Sequence, residues 1–353
     1  MNTRPDTKWF ERLTGFREGS YDDTRRQLAI EGQTLRSLVN GRTYGVGELE
    51  LVSLETLRQR VHASKGCEGS LKVRNVQGDV GPLHRAPAYA GALFQVASQF
   101  NMLEMNGSRR TPEDGVTCYA EDLTQGPACA MAAGAATLYR NYFAPVGHAL
   151  GQTRDRQLDG LADVGTMLAG MLGRPVGSLW LMKNGYALCY AEGLAAIDDH
   201  LASATEDVRD ALRGALRVGL HRDVEVTDEG ASPGQQVSQV FCSALPVGYA
   251  HDILAYGART APPAERWAAF ATLVLEAAYE ATLWAAVLNA RRGASNIVLL
   301  THLGGSAFGN DLAWIEAAMK RALKLARGFA LEVVIVNYRE TPASMRALEK
   351  TYP

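Results

Sequence analysis

Several features that would place a chain outside the ordinary globular proteins are missing from this sequence. Its five cysteines lie far apart and form no C-x-x-C pair, which favours reduced thiols in a cytoplasmic compartment over disulfides or zinc ligands. The formal charge of the 353 residues is only −2, and no basic run predicts binding to nucleic acid or to a membrane surface. The seven histidines form no ligand pattern with each other or with cysteine, so we predict no metal site.

Long hydrophobic runs are also scarce. The first 16 residues, MNTRPDTKWFERLTGF, lack the apolar stretch of a signal peptide. The segment from Trp267 to Leu288 is long and apolar, but it is rich in alanine and carries Glu276 and Glu280. This composition favours a buried helix of a soluble protein over a membrane span.

Apolar segments with strand patterns alternate with segments of helical periodicity. This alternation predicts a three-layer α/β/α fold around a largely parallel sheet. The predicted strands are Leu71–Asp79, Ala92–Asn101, Gln236–Val247, Asn296–Leu303 and Leu331–Tyr338, and the predicted helices are Pro127–Phe143, Trp267–Leu288 and Asp311–Arg327.

The pattern changes along the chain and suggests a division. Residues 1–68 are charged and show short helical periods, which predicts a helical N-terminal extension. Residues 69–353 then form the main domain. Within it, residues 150–234 are interpreted as an insertion of helices and one hairpin, with the turn of the hairpin at Asn184-Gly185.

A glycine-rich loop lies between one predicted strand and the next helix. Leu299–Asp311 reads LLTHLGGSAFGND, and its glycines permit close backbone approach. The start of the following helix offers free N–H groups to an anion. The loop matches neither GxGxxG nor the Walker A pattern, so tight-turn geometry is the alternative. His302, beside the glycines, is expected to be a packed neutral histidine, with ligand contact as the alternative.

Three acidic residues stand near the ends of predicted elements. Glu104 follows the second strand by three residues, and the carboxyl end of a parallel strand faces the ligand crevice in open α/β sheets. Glu121 and Asp122 lie just before a helix, where carboxylates also serve as simple charge complements to the helix dipole.

Together these segments resemble the macrodomain superfamily, and within it the poly(ADP-ribose) glycohydrolase-like branch. The resemblance is carried by VQGDVGPL (Val76–Leu83), ALFQVASQFN, VFCSALPVGY (Val240–Tyr249) and, most closely, LLTHLGGSAFGND. It implies a macrodomain-like mixed sheet that binds ADP-ribose. Asp79 with Val80 would then hold the adenine, Asn101 would orient the distal ribose, and Phe308 would stack on the ligand. The implied diphosphate site consists of Gly304, Gly305, Ser306, Ala307, Phe308, Gly309 and Asn310, with Asp311 as a further candidate.

The sequence departs from that branch at the catalytic loop. The branch carries a Gly-Gly-Gly run followed by Gln-Glu-Glu, whereas this chain reads DGVTCYAEDLTQGPACA. Asp122 or Glu121 is therefore the expected acid/base, with Glu104 and Asp311 as further candidates. The resemblance implies an ADP-ribosyl hydrolase that acts on an ADP-ribosylated protein, with ubiquitin as a candidate and delivery into a host cell as a candidate location, as for bacterial effectors.

No cofactor is expected, since ADP-ribose would be ligand or product, and no metal is required, although acidic clusters leave Mg²⁺ open. A non-catalytic ADP-ribose or NAD-metabolite reader is the alternative function. A partner-binding module, in which the N-terminal extension and the insertion carry the function, is a third.

Overall fold

A computed structural model describes residues 8–353, so the first seven residues of the predicted N-terminal extension lie outside the described part. The strands are β1 (Leu28–Glu31), β2 (Thr34–Ser37), β3 (Thr43–Gly45), β4 (Glu48–Ser53), β5 (Lys72–Gln77), β6 (Leu93–Ala97), β7 (Pro145–Val146), β8 (Ala149–Leu150), β9 (Trp180–Lys183), β10 (Tyr186–Cys189), β11 (Arg217–Glu225), β12 (Gln236–Cys242), β13 (Ile297–Leu300) and β14 (Glu332–Asn337). The helices are α1 (Trp9–Thr14), α2 (Tyr21–Arg26), α3 (Leu54–Ala63), α4 (Val80–Arg85), α5 (Gln125–Ala132), α6 (Gly134–Tyr142), α7 (Ala162–Leu172), α8 (Ala191–Ser203), α9 (Glu206–Ala215), α10 (Ala268–Arg291), α11 (Leu312–Ala326) and α12 (Ala343–Thr351).

A seven-stranded mixed sheet forms the centre of the fold, in the order β4-β11-β12-β6-β13-β14-β5. The five strands from β12 to β5 run parallel, whereas β4, β11 and β12 pair antiparallel. The predicted largely parallel sheet is therefore confirmed. Because the five parallel strands point the same way, their carboxyl ends meet at one edge of the sheet.

The sheet is covered by helices on both faces. Along β6, Leu93 packs into a core cluster with α3 and α7 to α11, while Phe94 and Val96 pack into a second cluster with α4 and α5. Successive side chains of a strand point to opposite faces, so alternate residues fill the two cores. The same alternation holds in β13 and β14, and the predicted three-layer arrangement is confirmed.

The long apolar helix α10 lies inside the first of these cores. By length and composition it could cross a membrane, but 78% of its most apolar window is buried within the structure. It packs against α3, α8, α9 and α11. The predicted buried helix is therefore confirmed, and its even apolar surface reflects neighbours on most sides.

The prediction of a wholly helical N-terminal extension is wrong for residues 28–53. Leu28–Glu31 and Thr34–Ser37 form an antiparallel hairpin, whose turn includes Gly32 at φ +63°. Leu28 and Leu35 are buried while Glu31 and Arg36 are exposed. In strands of four residues, this pattern of apolar and polar residues cannot be distinguished from a helical period. Glu48–Ser53 joins the central sheet.

The block at residues 150–234 contains the predicted hairpin, as β9 and β10, and the predicted helices. It also contains β11, which lies inside the central sheet between β4 and β12. Part of this block is therefore integral to the core. The helix predicted over Pro127–Phe143 is divided into α5 and α6 at Ala133. The division into an extension and a main domain stays a prediction.

A buried ion cluster ties four helices of one layer together. Arg58 on α3 donates to Glu280 on α10 at 2.6 Å and to Asp210 on α9 at 2.8 and 2.9 Å. Arg321 on α11 and Trp284 also donate to Glu280, which is 3% exposed. Burial acts to raise the pKa of Glu280, but these hydrogen bonds outweigh it and hold the pKa below its usual value.

We expect Arg58→Met to lower the free energy of unfolding by about 3 kcal/mol, because it leaves the buried Glu280 carboxylate with fewer partners. Arg60→Met is the matched control on the same helix, since its partner Glu50 is 28% exposed, and it should cost less than about 1 kcal/mol. Because the pKa of Glu280 is lowered in the folded state, its carboxylate adds to the free energy of unfolding at neutral pH. This stabilisation is lost as the pH falls through the folded-state pKa. Urea unfolding of both variants measures the difference, and equal losses would contradict the assignment.

Candidate active site

A cleft of about 540 Å³ opens at the carboxyl edge of the parallel strands. Strand spacing of about 4.8 Å makes the four gaps between β12 and β5 span roughly 19 Å. The cleft can therefore hold an elongated ligand that lies across the strand ends. The predicted site residues that line it are Asp79, Val80, Glu104, Asp122, Gly304, Gly305, Ser306, Ala307 and Phe308. Those outside its lining are Asn101, Glu121, Gly309, Asn310 and Asp311.

The glycine loop after β13 is held in shape from within. Gly304 and Gly309 have φ of +75° and +66°, a region that L side chains rarely adopt. Buried Asn310 donates its side-chain amide to Leu245 O at 2.8 Å, and its backbone N–H to Gly304 O at 2.9 Å. Gly309 and Asn310 therefore shape the loop from behind and do not face the cleft.

The loop presents unused backbone donors. Among residues 8–353, no group accepts a hydrogen bond from the N–H of Ser306, Ala307 or Phe308. The helix that follows is a poorer anion site than predicted, because the Asp311 carboxylate caps α11 and accepts from Ala313 N at 2.7 Å. The donors for an anion thus belong to the loop itself, which makes a small concave N–H site.

Phe308 belongs to an aromatic wall with Tyr186 and Tyr249. The ring centroids of Phe308 lie 5.2 Å from Tyr186 and 5.7 Å from Tyr249. The Tyr186 hydroxyl donates to Met105 O at 2.9 Å and accepts from Gly107 N at 3.1 Å. Sequence reasoning missed both tyrosines. The Asn184-Gly185 turn could have indicated a hairpin tip, but not that the tip reaches this wall.

Glu104 lies on the cleft floor with almost no access to solvent. It is 2% exposed, and neither of its carboxyl oxygens has a hydrogen-bond partner among the described residues. Burial raises the pKa of this carboxyl from 4.5 to about 8, and the charge of Arg140 offsets only part of that effect. Glu104 is therefore protonated at neutral pH.

The nearest cation is held just beyond hydrogen-bond distance. An Arg140 nitrogen lies 3.7 Å from a Glu104 oxygen. The guanidinium of Arg140 donates to Met102 O at 3.1 Å and to Thr137 Oγ1 at 3.0 Å, and its carbon lies 3.8 Å from the Phe241 ring centroid. These contacts hold Arg140 in place, and its charge lowers the pKa of Glu104 by less than burial raises it.

Asp122 and Glu121 have different surroundings although they are neighbours. Asp122 lines the cleft half-buried, and one of its oxygens accepts from Thr124 N at 2.8 Å. Its charge adds to burial in raising the pKa of Tyr249. Glu121 is exposed and is not part of the cleft lining. Of this pair, the structure brings only Asp122 to the cleft.

Asn101 does not reach the cleft, contrary to its predicted position at the distal ribose. It is fully buried, its side-chain oxygen accepts from Leu103 N at 3.1 Å, and its amide nitrogen donates to Gln157 at 2.9 Å. Gln157 in turn donates to Asn184 at 2.9 Å. Because the side-chain amide of Asn101 is engaged in these hydrogen bonds, it holds the chain after β6 in place and does not face the cleft.

The far end of the cleft lies at β5 and β14. The Asp79 carboxylate caps α4 and accepts from Gly81 N at 3.1 Å, while Val80 is buried beside it. Tyr338, 58% exposed, and Arg339 follow β14 and also line the cleft. Sequence reasoning missed these two, although both follow a strand end. His302 lines the cleft, and its Nε2 lies 3.0 Å from Asn337 Oδ1. Contact of His302 with a ligand therefore stays the alternative to a packed histidine.

Metal ligands do not cluster in the described residues. Within residues 8–353, no group of three or more His, Cys, Asp or Glu side chains could hold a metal ion. The five cysteines are free thiols.

The buried Glu104 carboxyl makes stability depend on pH. Because its folded pKa is raised, the folded state binds the proton more tightly, and the parent should lose up to about 3 kcal/mol relative to Glu104→Gln between pH 4.5 and 7. Urea unfolding across this range tests the expectation, with exposed Glu121→Gln as the control. A difference between parent and Glu104→Gln that does not vary with pH would contradict it.

Comparison with known proteins finds similarity only at the level of structure. No family model matches the sequence, and no curated protein matches it. The poly(ADP-ribose) glycohydrolase from Thermomonospora curvata is 14% identical, with a TM-score of 0.43 and coverage of 93% of this chain and 94% of that chain. The enzyme from Deinococcus radiodurans in complex with ADP-ribose is 12% identical, with a TM-score of 0.40 and coverage of 86% and 92%. These structures belong to the family that the sequence resembles.

Proposed function

We propose that the cleft binds ADP-ribose and that the protein hydrolyses the glycosidic bond between ADP-ribose and a protein side chain. The observation that carries the proposal is the buried Glu104 carboxyl, which has no hydrogen-bond partner among residues 8–353 and lines a cleft together with three N–H groups that have no acceptor in the same part of the chain. The Glu104 carboxyl can donate a proton to a leaving group, and the N–H groups can donate hydrogen bonds to an anion.

The diphosphate would lie against the loop from Gly305 to Phe308. Phosphate oxygens accept well from consecutive backbone N–H groups, and those of Ser306, Ala307 and Phe308 have no internal partner among the described residues. Arg339 adds a positive charge on the cleft lining.

The order of the strands gives the ligand a direction. Asp79, Val80 and Tyr338 follow β5 and β14 at one end of the cleft. A carboxylate and an exposed aromatic ring suit the amino group and the face of an adenine. Glu104 and Tyr249 follow β6 and β12 at the other end, where the distal ribose and its glycosidic bond would lie.

Glu104 would act first as the general acid. As the bond at the anomeric carbon breaks, the Glu104 proton moves to the leaving oxygen or nitrogen of the modified side chain, and positive charge develops on the ribose. Water then adds its oxygen to the anomeric carbon and gives a proton to a carboxylate of the cleft. The products are free ADP-ribose and the unmodified side chain.

Asp122 would complement this acid from the cleft wall. One of its oxygens is engaged by Thr124 N, and the side chain lines the cleft half-buried. A negative charge there stabilises the developing positive charge or orients the attacking water. Two carboxyl groups in different surroundings can thus take different roles.

A non-catalytic ADP-ribose reader is the second candidate, and one observation favours it. The stretch DGVTCYAEDLTQGPACA lacks the Gly-Gly-Gly and Gln-Glu-Glu runs with which the glycohydrolase branch does its chemistry. In that case Glu104 only closes the cleft floor. Ubiquitin as the modified protein is proposed on the resemblance alone, so the assay includes ADP-ribosyl ubiquitin beside proteins modified on Arg, Ser, Thr or Glu.

Phe308→Ala should weaken ADP-ribose binding by roughly 1–3 kcal/mol, because the ring forms part of the cleft wall. The matched control is Phe329→Ala, a half-buried ring that packs against Trp284 at 5.6 Å and lies outside the cleft lining. It should lose stability and keep its affinity. Titration calorimetry and thermal melts separate the two effects, and an unchanged affinity in folded Phe308→Ala would refute the assignment of this wall to the ligand.

Glu104→Gln and Asp122→Asn should each keep ADP-ribose affinity within a few-fold and lower turnover by roughly a hundredfold or more, the scale of a positioned acid or base. Activity should also fall as the pH rises through about 8, where Glu104 loses its proton. Glu121→Gln, whose carboxyl lies outside the lining, should match the parent. The readout is free ADP-ribose released from modified proteins.

Two outcomes would change the proposal. If both cleft variants release ADP-ribose as fast as the parent, these carboxyl groups do not carry the chemistry. If the parent binds ADP-ribose but releases none from any of the substrates, the reader function replaces the hydrolase.

A further inference from the structure

A single carboxylate of the N-terminal region binds the segment that connects Glu104 with Asp122. The Glu18 carboxylate accepts from Val116 N at 2.9 Å, from Thr117 N at 2.8 Å and from Thr117 Oγ1 at 2.7 Å. The Tyr142 hydroxyl on α6 donates to it at 2.6 Å. Glu18 therefore joins the N-terminal region, α6 and this segment at one point.

The N–H groups of Val116 and Thr117 lie at the start of the short 3₁₀ turn Thr117–Glu121. Val116, the residue before the turn, provides no side-chain cap. Glu18 supplies that cap from 98 residues away. The fit is tight, since a Cβ at Gly115 would lie 2.4 Å from a Glu18 oxygen. Gly115 also has φ +82°, so the chain can bring these N–H groups to Glu18 only with glycine at this position.

The capped turn contacts both carboxyl-bearing residues. Within the turn, the Tyr119 hydroxyl accepts from Glu104 N at 3.1 Å. The carbonyl of Tyr119 accepts from Asp122 N at 3.2 Å. The position of this turn thus sets the backbone of Glu104 on the cleft floor and of Asp122 on the cleft wall.

The helix that precedes Glu18 packs in an apolar core that it shares with the turn. Trp9, Phe10 and Leu13 of α1 pack in one cluster with Tyr142 and Tyr119. Glu18 therefore follows a packed helix, whose core also holds the turn that Glu18 caps.

We infer that Glu18 is a positioning residue, which acts through the Thr117–Glu121 turn to hold Glu104 and Asp122 in their relative geometry. This rests on the proposed function of the cleft. Misplacement of reacting groups by about 1 Å can cost a hundredfold in rate, so removal of the cap should lower kcat by about 10- to 100-fold. ADP-ribose affinity should stay within threefold of the parent, because the glycine loop is untouched.

The test compares Glu18→Ala, Glu18→Gln and Glu113→Gln. Glu18→Gln keeps one acceptor oxygen and should recover part of the lost rate. Glu113 is the matched control, because its carboxylate accepts a backbone N–H from Arg154 at 2.9 Å and makes no contact with the turn. Hydrogen exchange at the amides of Glu104, Val116, Thr117 and Asp122 is measured beside turnover and affinity, with α10 as internal reference.

The expected result is exchange at least tenfold faster at these four amides in Glu18→Ala, no change in α10, and parent behaviour in Glu113→Gln. Unchanged exchange at the turn, or faster exchange throughout the chain, would overturn the inference. A kcat equal to that of the parent would also overturn it. If the parent itself releases no ADP-ribose, the hydrolase proposal fails, while the exchange measurement still decides whether Glu18 holds the turn.

Discussion

The cleft depends on one close approach, between the start of α5 and the end of β6. A Cβ at Gly126 would lie 1.9 Å from Ala97 O, so only glycine allows the two backbones to come this near. The Gln125 side chain completes the contact, because it accepts from Ala97 N at 2.8 Å and donates to Gln95 O at 2.8 Å. An amide side chain thus pairs with the strand where the sheet ends, and α5 closes the cleft floor.

This approach explains why the Glu104 carboxyl is buried without a hydrogen-bond partner in the described part of the chain. Its Cγ would lie 3.1 Å from a Cβ at Gly126, so α5 covers the side chain and keeps water away. Arg140 is held back by Met102, Thr137 and Phe241, so its charge reaches Glu104 without a hydrogen bond. In this position, burial of the protonated carboxyl costs less free energy than burial of the charged carboxylate. The unusual protonation state is therefore a consequence of backbone packing.

The sequence contained enough to predict most of the central layer but not the contacts that complete the site. The strand Glu332–Asn337 is a short, nearly continuous apolar run, the helix α10 is a long apolar segment, and the glycine loop after β13 is a local pattern. Local patterns could not show that Tyr186 reaches the loop that follows Met105, about eighty residues earlier. They also could not show that Asn101 is engaged by Gln157. The resemblance implied a ligand contact for Asn101, whereas its side chain is engaged in tertiary hydrogen bonds.

The two segments first interpreted as additions to the fold supply parts of its centre. One contributes β4 and the other β11, which together continue the sheet beyond β12 and cover what would otherwise be an exposed edge. The same segments bring Glu18 to the turn before Asp122 and Tyr186 to the aromatic wall. A bare row of parallel strand ends offers a crevice but little selectivity, since strand ends are alike. Residues of these two segments contribute to the cleft wall and hold the turn before Asp122 in place. The properties of the cleft therefore depend on these segments as well as on the parallel strands.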